Sequence, residues 1–307
     1  MKKFLSALGV VSTLFFVNCK SDDDKVVYTP PRPFDEVYVE NIAQIEEYLD
    51  THSISVTKNG NGDVTDVAFD TITDAAVVSI LNQSEFPIKT YNFKKNDVEY
   101  KIYYLQLDSK PDNITAFEDT TYGNKPSGAD AVFASYKGYT LDGKMFDSSD
   151  FGAKFDLSSV IAGWQLIMPE FRSGISSFNN QGTLDSSNYG SGVMFIPSGL
   201  AYFNSGSTGI PPYAPLIFTF NLTQVFYLDQ DNDGIPSRFE FGYNADGTFI
   251  DTDGDGIPNF MDADDDNDGY LTLDEIKIDG VIPAFEDILN CEGTTGGLKK
   301  HLNPACH

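Results

Sequence analysis

Val132 to Asp150 reads VFASYKGYTLDGKMFDSSD, and the middle of the chain makes sense as a completion of it. Val132, Ala134 and Tyr136 alternate with Phe133, Ser135 and Lys137, the period of a strand with one buried face. Leu141-Asp142-Gly143-Lys144 comes next, and Asp and Gly tolerate the backbone angles of a tight reversal. Met145, Phe146 and Asp147 then set an aromatic ring beside a carboxylate where the following strand begins. Taken alone, this strand–turn–strand unit fits an ordinary core with a solvated acid equally well.

The pattern continues downstream in order. Tyr136, Gly138, Leu141 or its neighbour, Gly143, Phe146, Asp147, Ser148 and Ser149 form a first block. Val160, Ile161, Gly163 and Trp164, the only tryptophan, form a second. Pro197, Ala201 and Tyr202, followed by Ile210, Pro211, Pro212, Ala214, Leu216 and Phe218, form a third. Across roughly a third of the chain these blocks resemble the FKBP family of peptidyl-prolyl cis/trans isomerases. The resemblance implies an α+β fold, an antiparallel sheet wrapped around a short helix.

Rotation about an X-Pro bond needs no nucleophile and no net proton transfer. Its barrier, about 20 kcal/mol, is the amide resonance lost on twisting. A site lowers it by binding the twisted amide better than the planar one. A dry aromatic pocket suits that task, and none of the three histidines falls between residues 120 and 228. The resemblance implies Trp164 as the floor of a proline pocket, with Tyr136, Phe146, Val160, Ile161 and Phe218 as walls and Ile210 counted with them. It further implies a hydrogen bond from the Tyr202 hydroxyl to the substrate, a carbonyl held by the Ile161 amide, and Asp147 at the rim. Two features depart from the family pattern. No Arg follows the rim acid within Asp150-Phe151-Gly152-Ala153-Lys154, and Phe203 to Gly209 holds neither an aromatic residue nor His just before Ile210.

With 307 residues, 41% hydrophobic and 13% aromatic, the chain supports a real core. The net charge of −26 argues against nucleic acid as a partner, because there is no basic surface to displace counterions from phosphates. Lys2 and Lys3 precede an apolar run, Phe4 to Val17, that is short for a bilayer span but matches a signal-peptide core. The run ends at Cys19 before Lys20-Ser21-Asp22-Asp23-Asp24, which resembles a bacterial lipoprotein signal with Cys19 lipidated, although Asn18 replaces the usual small residue. This implies residues 1–18 as signal, 19–33 as tether, and anchoring to the outer membrane of a Gram-negative envelope. Cys291 and Cys306, close together in an exported chain, are expected to form a disulfide.

Beyond the tether, Val39, Ile42, Ile45, Glu46 and Leu49 recur at helical spacing. Asn59-Gly60-Asn61-Gly62 marks a hairpin turn between two short strands, and further alternation follows as far as Leu107. Residues 34–115 thus read as an N-terminal α+β extension that docks a partner or covers a sheet edge. The isomerase-like unit occupies 120–228, with an enlarged loop or added hairpin between Phe171 and Gly192.

After Leu228 the composition changes. Asp229-Gln230-Asp231-Asn232-Asp233-Gly234 is echoed by Asp251-Thr252-Asp253-Gly254-Asp255-Gly256 and by Asp264-Asp265-Asp266-Asn267-Asp268-Gly269. Acids at alternate positions aim several carboxylates at one centre, and Gly at the sixth position permits the sharp turn of a calcium loop. Glu240, Asp262 and Glu275 fill the twelfth positions. The third copy matches an EF-hand loop; the recurring Asp-Gly-Ile-Pro of the first two resembles thrombospondin type-3 repeats. Residues 229–280 therefore read as loop-rich structural calcium repeats and 281–307 as a tail, with no cofactor required for isomerisation. Two functions stay open. One is an envelope isomerase acting on proline-containing polypeptides. The other is a surface-displayed binding module with a weak or inactive pocket and a calcium-stabilised docking region.

Overall fold

Six strands make the central sheet, and their order in space is not their order in the chain. The computed structural model describes residues 30–178 and 184–306. Its elements run α1 (Phe34–Thr51), β1 (His52–Lys58), β2 (Val64–Thr71), β3 (Lys89–Lys95), β4 (Val98–Gln106), β5 (Ala131–Thr140) and β6 (Met145–Asp156). They continue with α2 (Ala162–Ile167), β7 (Ile175–Phe178), β8 (Leu184–Ser187), β9 (Gly190–Ile196), β10 (Leu216–Phe226) and α3 (Thr272–Glu275). The sheet is ordered β3-β4-β9-β10-β5-β6, while β1-β2 and β7-β8 are separate hairpins. Every pairing in the sheet is antiparallel, so the fold is α+β with few helices, as the resemblance implies.

The signature stretch forms β5, its turn and β6, with Gly138 opposite Asp147 and Tyr136 opposite Ser149. Both faces of the sheet are covered. Tyr100, Ile102, Met194, Ile196, Phe218 and Phe220 meet α2 on one side. Tyr103, Leu105, Val193, Phe195 and Ile217 meet α1 and the β1-β2 hairpin on the other. Alternate residues of β4, β9 and β10 therefore enter opposite cores. Strand β4 lies beside β9, with Tyr104 opposite Met194 and Leu105 opposite Val193. The extension thus pairs the edge that β9 would otherwise present.

Helix α1 starts behind Pro33, with Asp35 and Glu36 in the first turn, where negative charge suits the helix dipole. Its buried stripe is Val37, Asn41, Ile45, Tyr48 and Leu49. This corrects the face read from Val39, Ile42, Ile45, Glu46 and Leu49, since Val39 is 66% exposed. Asn41 takes an inward position because its amide is satisfied there. It donates to the Tyr213 carbonyl at 2.9 Å and accepts from the Ser198 amide at 2.8 Å.

The Ser/Asn/Gly-rich stretch after Phe171 carries the β7-β8 hairpin. The polar stretch before β5 is strapped to the body. Lys110 donates to the Tyr122 and Ser173 carbonyls, Arg172 to those of Gly123, Ile114 and Ala116, and Tyr227 to that of Phe117.

The acidic copies lie within the same compact unit, Arg32–His307. Single 3-10 turns, Ser237–Phe239 and Asn259–Met261, follow the first two copies, and α3 follows the third. Phe241, Tyr243, Phe249 and Phe260 form a ring cluster with centroids 5.2–5.7 Å apart. Tyr243 donates to Gln165 of α2 at 2.7 Å. Gln230 donates to the Ala129 carbonyl at 2.8 Å. Cys291 and Cys306 are joined in a disulfide. The signal segment 1–18, Cys19 and most of the tether lie outside the described residues. Among the described residues no helix is long and apolar enough to cross a membrane.

Candidate functional site

Strands β5, β6 and β10 and the turn into α2 converge on a cavity of about 270 Å³ lined by Tyr136, Phe146, Asp147, Phe155, Ser159, Val160, Ile161, Trp164, Tyr202 and Phe218. Trp164 sits in the first turn of α2, 5% exposed. Phe218 lies 5.4 Å from it at 82°, Tyr136 5.6 Å at 85° and Phe155 5.4 Å at 47°. Edge-to-face packing of Tyr136 and Phe218, with Phe155 tilted, holds the indole by its neighbours. Phe146 stands on Phe218 at 5.5 Å.

Two signature glycines are explained by contact rather than by turn geometry. A Cβ on Gly138 would lie 2.6 Å from the Phe146 ring and 2.8 Å from Phe218. One on Gly163 would lie 2.5 Å from Ile196, so its absence lets α2 press against β9.

The polar groups sit at the rim. Tyr136 donates its hydroxyl to Asp147 Oδ2 at 2.6 Å, and Asp147 Oδ1 accepts the Ser148 amide at 2.9 Å. The acid that lacks an Arg neighbour in sequence is therefore held by a phenol. Burial, then that hydrogen bond, keeps Tyr136 well above the usual phenol range. Burial, then the charge of Asp147, raises Tyr202 as well. Tyr202 is 38% exposed and the loop behind it is braced from α1, since Phe34 stacks on Phe203 at 4.0 Å.

Eight of the nine residues named for the pocket line this cavity. Ile210 does not line it; it is buried in the core beneath. Sequence reasoning missed Phe155 and Ser159. Strict alternation from Asp147 along β6 leads through Phe151, which is 98% exposed. The register shifts between Ala134 and Tyr136, opposite the stretch containing Gly152 at φ 83°. The shift puts two extra residues in β6, so Phe155 stays in phase with Asp147 while the exposed Phe151 between them interrupts the inward run.

The acidic copies share one local geometry. Asp229 accepts from the Gly234 amide at 3.2 Å, Asp251 from Gly256 at 2.9 Å and Asp264 from Gly269 at 3.2 Å. Those glycines have φ of 96°, 98° and 92°. Carboxylate oxygens gather within 4.8 Å in Asp229-Asp231-Asp233, Asp251-Asp253-Asp255 and Asp264-Asp266-Asp268. Of the twelfth-position acids, Asp262 and Glu275 are outside these groups, and Glu240 meets Asp233 together with Asp265. Asp265 was not among the ligands read from sequence. Buried oxygens without a hydrogen-bond partner occur on Asp231, Asp233, Glu240, Asp253, Asp264, Asp265, Asp266 and Glu275. Burial, then neighbouring carboxylates, pushes Glu240 up to about 11 and Asp265 and Glu275 up to about 8. An all-oxygen donor set with orphaned buried carboxylates fits a hard divalent cation.

Comparison with known proteins matches the middle of the chain to one family model. Residues 123–223 match the family model of FKBP-type peptidyl-prolyl cis-trans isomerases. Over 106 residues the chain is 33% identical to the FKBP-type isomerase FkpA of Escherichia coli, covering 34% of this chain and 34% of that one. It is 30% identical over 179 residues to FkpA of Aeromonas hydrophila, covering 53% and 61%. The chain thus spans about a third of the E. coli relative's length. A crystal structure of a peptidyl-prolyl isomerase from Pseudomonas syringae superposes with a TM-score of 0.31 at 28% identity, covering 41% of this chain and 75% of that one. Residues 230–296 match a separate model, described as BamM C-terminal.

Proposed function

We propose that the chain is a peptidyl-prolyl cis/trans isomerase of the cell envelope, acting on proline-containing segments of exported polypeptides. The observation that carries this reading is the cluster of Tyr136, Phe146, Phe155, Trp164 and Phe218 around a cavity of about 270 Å³ that Tyr202 and Asp147 also line. A proline ring seated on Trp164 loses its water. The twisted amide, with less charge separation than the planar one, is favoured there over bulk solvent. Tyr202 donates to the substrate backbone, and the Ile161 amide donates to a substrate carbonyl. Asp147, fixed by Tyr136, faces the amide from the rim. No step requires a metal or a proton carrier.

The acidic copies hold calcium as a structural ion. Asp229, Asp231 and Asp233, then Asp251, Asp253 and Asp255, then Asp264, Asp266 and Asp268 supply the oxygens, with Glu240, Asp262 and Glu275 completing the set. Bound calcium supplies positive charge that offsets buried carboxylate repulsion. Lipidation at Cys19 anchors the chain to the outer membrane through the tether. The alternative, a binding module with an idle pocket, draws on the absent Arg and the β7-β8 hairpin.

A refolding assay separates the two. A client whose folding is limited by X-Pro isomerisation refolds faster with catalytic amounts of the enzyme. If acceleration appears only at stoichiometric amounts, the binding module is the correct reading.

A further inference from the structure

Each acidic copy gathers its own first, third and fifth carboxylates, yet one group belongs to no single copy. Asp233 and Glu240 come from the first copy and Asp265 from the second position of the third, and their ligand oxygens lie within 4.8 Å of one another. All three are buried, at 1%, 7% and 1% exposure. Neither oxygen of Glu240 has a hydrogen-bond partner, nor has Asp233 Oδ2 or Asp265 Oδ1. The remaining oxygens are already engaged: Asp233 Oδ1 accepts the Ile235 amide at 2.7 Å, and Asp265 Oδ2 accepts the Thr272 hydroxyl at 3.3 Å. Among the described residues none of the ion pairs reaches these acids.

Leaving a buried carboxylate without a donor or a counter-charge is costly, and three together are costlier through mutual repulsion. A solvated acidic face would turn these groups outward. Here the partnered oxygens orient Asp233 and Asp265 while four oxygens stay dry and unpaired.

We propose that Asp233, Glu240 and Asp265 form a divalent-cation site that locks the first acidic copy onto the third. Its donors are carboxylate oxygens alone, the preference of calcium rather than of zinc or copper. Asp233 also belongs to the Asp229-Asp231-Asp233 group, and Glu240 holds that loop's twelfth position, so two carboxylates serve two adjacent sites and Asp265 belongs to the cross-copy site alone. The site staples segments distant in sequence, unlike the groups inside each loop. It stands whether or not the aromatic pocket is catalytic.

The test uses the soluble full chain with calcium as the only added ion, comparing the native sequence with Asp265→Asn, Glu240→Gln and, as a within-loop control, Asp251→Asn. Titration calorimetry gives the stoichiometry, and melting in chelator and in calcium gives stability. Asp265→Asn and Glu240→Gln are expected to lose one ion relative to the native chain. They are also expected to melt higher in chelator, where the cost of burying a carboxyl among other carboxyls is gone, and lower in calcium, where a ligand is gone. Asp251→Asn loses a different ion, and the chelator gain is absent because Asp251 is not buried. Unchanged stoichiometry in both site variants overturns the proposal, as does lower stability in both media, which is the signature of a merely structural Asp265–Thr272 hydrogen bond. If the native chain binds one ion only and Asp265→Asn abolishes it, the cross-copy site stands and the loop sites fall. If the native chain binds none, both fall.

Discussion

Gly138 has no room for a side chain because Phe146 and Phe218 occupy the space its Cβ would need. Gly138→Ala is therefore expected to push Phe146 off the wall, costing about 1–3 kcal/mol of stability. The catalytic rate should fall further than melting alone predicts, and rate per folded molecule checks this. Tyr136→Phe removes the 2.6 Å hydrogen bond that fixes Asp147. A hydrogen bond to a charged group contributes roughly 1.5–3 kcal/mol, so a drop of about tenfold or more in isomerisation rate is expected if the fixed carboxylate matters. Both tyrosines at the mouth titrate above the usual phenol range. They keep their protons through neutral and mildly alkaline pH, and no histidine lines the cavity. The rate should accordingly show no alkaline loss below about pH 10 in a pH series on a peptide substrate. At this scale the sequence was most readable where motif and spacing coincide, at Tyr136, Phe146, Asp147 and Trp164. Phe155 stayed hidden because the exposed Phe151, in the bulged stretch beside Gly152, interrupts the inward run between Asp147 and Phe155.

Among the elements, α1 and β4 tie the extension to the pocket-bearing sheet. Asn41 joins α1 to the Tyr213 and Ser198 backbone and is 2% exposed. Asn41→Leu leaves a carbonyl and an amide buried without partners, at about 1–3 kcal/mol each. Reduced stability and faster proteolysis near Phe203 are the expected outcome, read by melting and limited digestion. A polar residue on a buried helix face inverts the usual periodic argument, which is why α1 is placed correctly by sequence but its inward stripe is not. The pairing of β4 with β9 has no local signal either. Alternation identifies a strand without naming its neighbour.

Across the whole molecule, the acidic copies gather orphaned carboxylates on a body fixed by Tyr243–Gln165 and Gln230–Ala129. Calcium at a hundredfold excess over its dissociation constant adds about 2.7 kcal/mol per site, so melting should rise with calcium and collapse toward the chelator value when it is removed. Trp164 is held by Tyr136, Phe155, Phe218 and Phe220, none of them from the acidic region. Calcium should therefore leave the isomerisation rate per folded molecule unchanged. The clustering of alternating acids around their positive-φ glycines was legible in sequence because such a turn is a local code. Asp265 was not, since it sits between the coded positions and gains its meaning only when the third copy packs against the first.

The central claim is that the aromatic cavity twists X-Pro bonds. Exchange NMR on short peptides varied at the residue before proline, with the native chain beside Trp164→Ala and Asp147→Ala, tests it most directly. The account predicts faster cis/trans exchange with the native chain, lost in Trp164→Ala and sharply reduced in Asp147→Ala while both variants remain folded. Exchange no faster than in free peptide with the folded native chain, or acceleration untouched by Trp164→Ala, would contradict it.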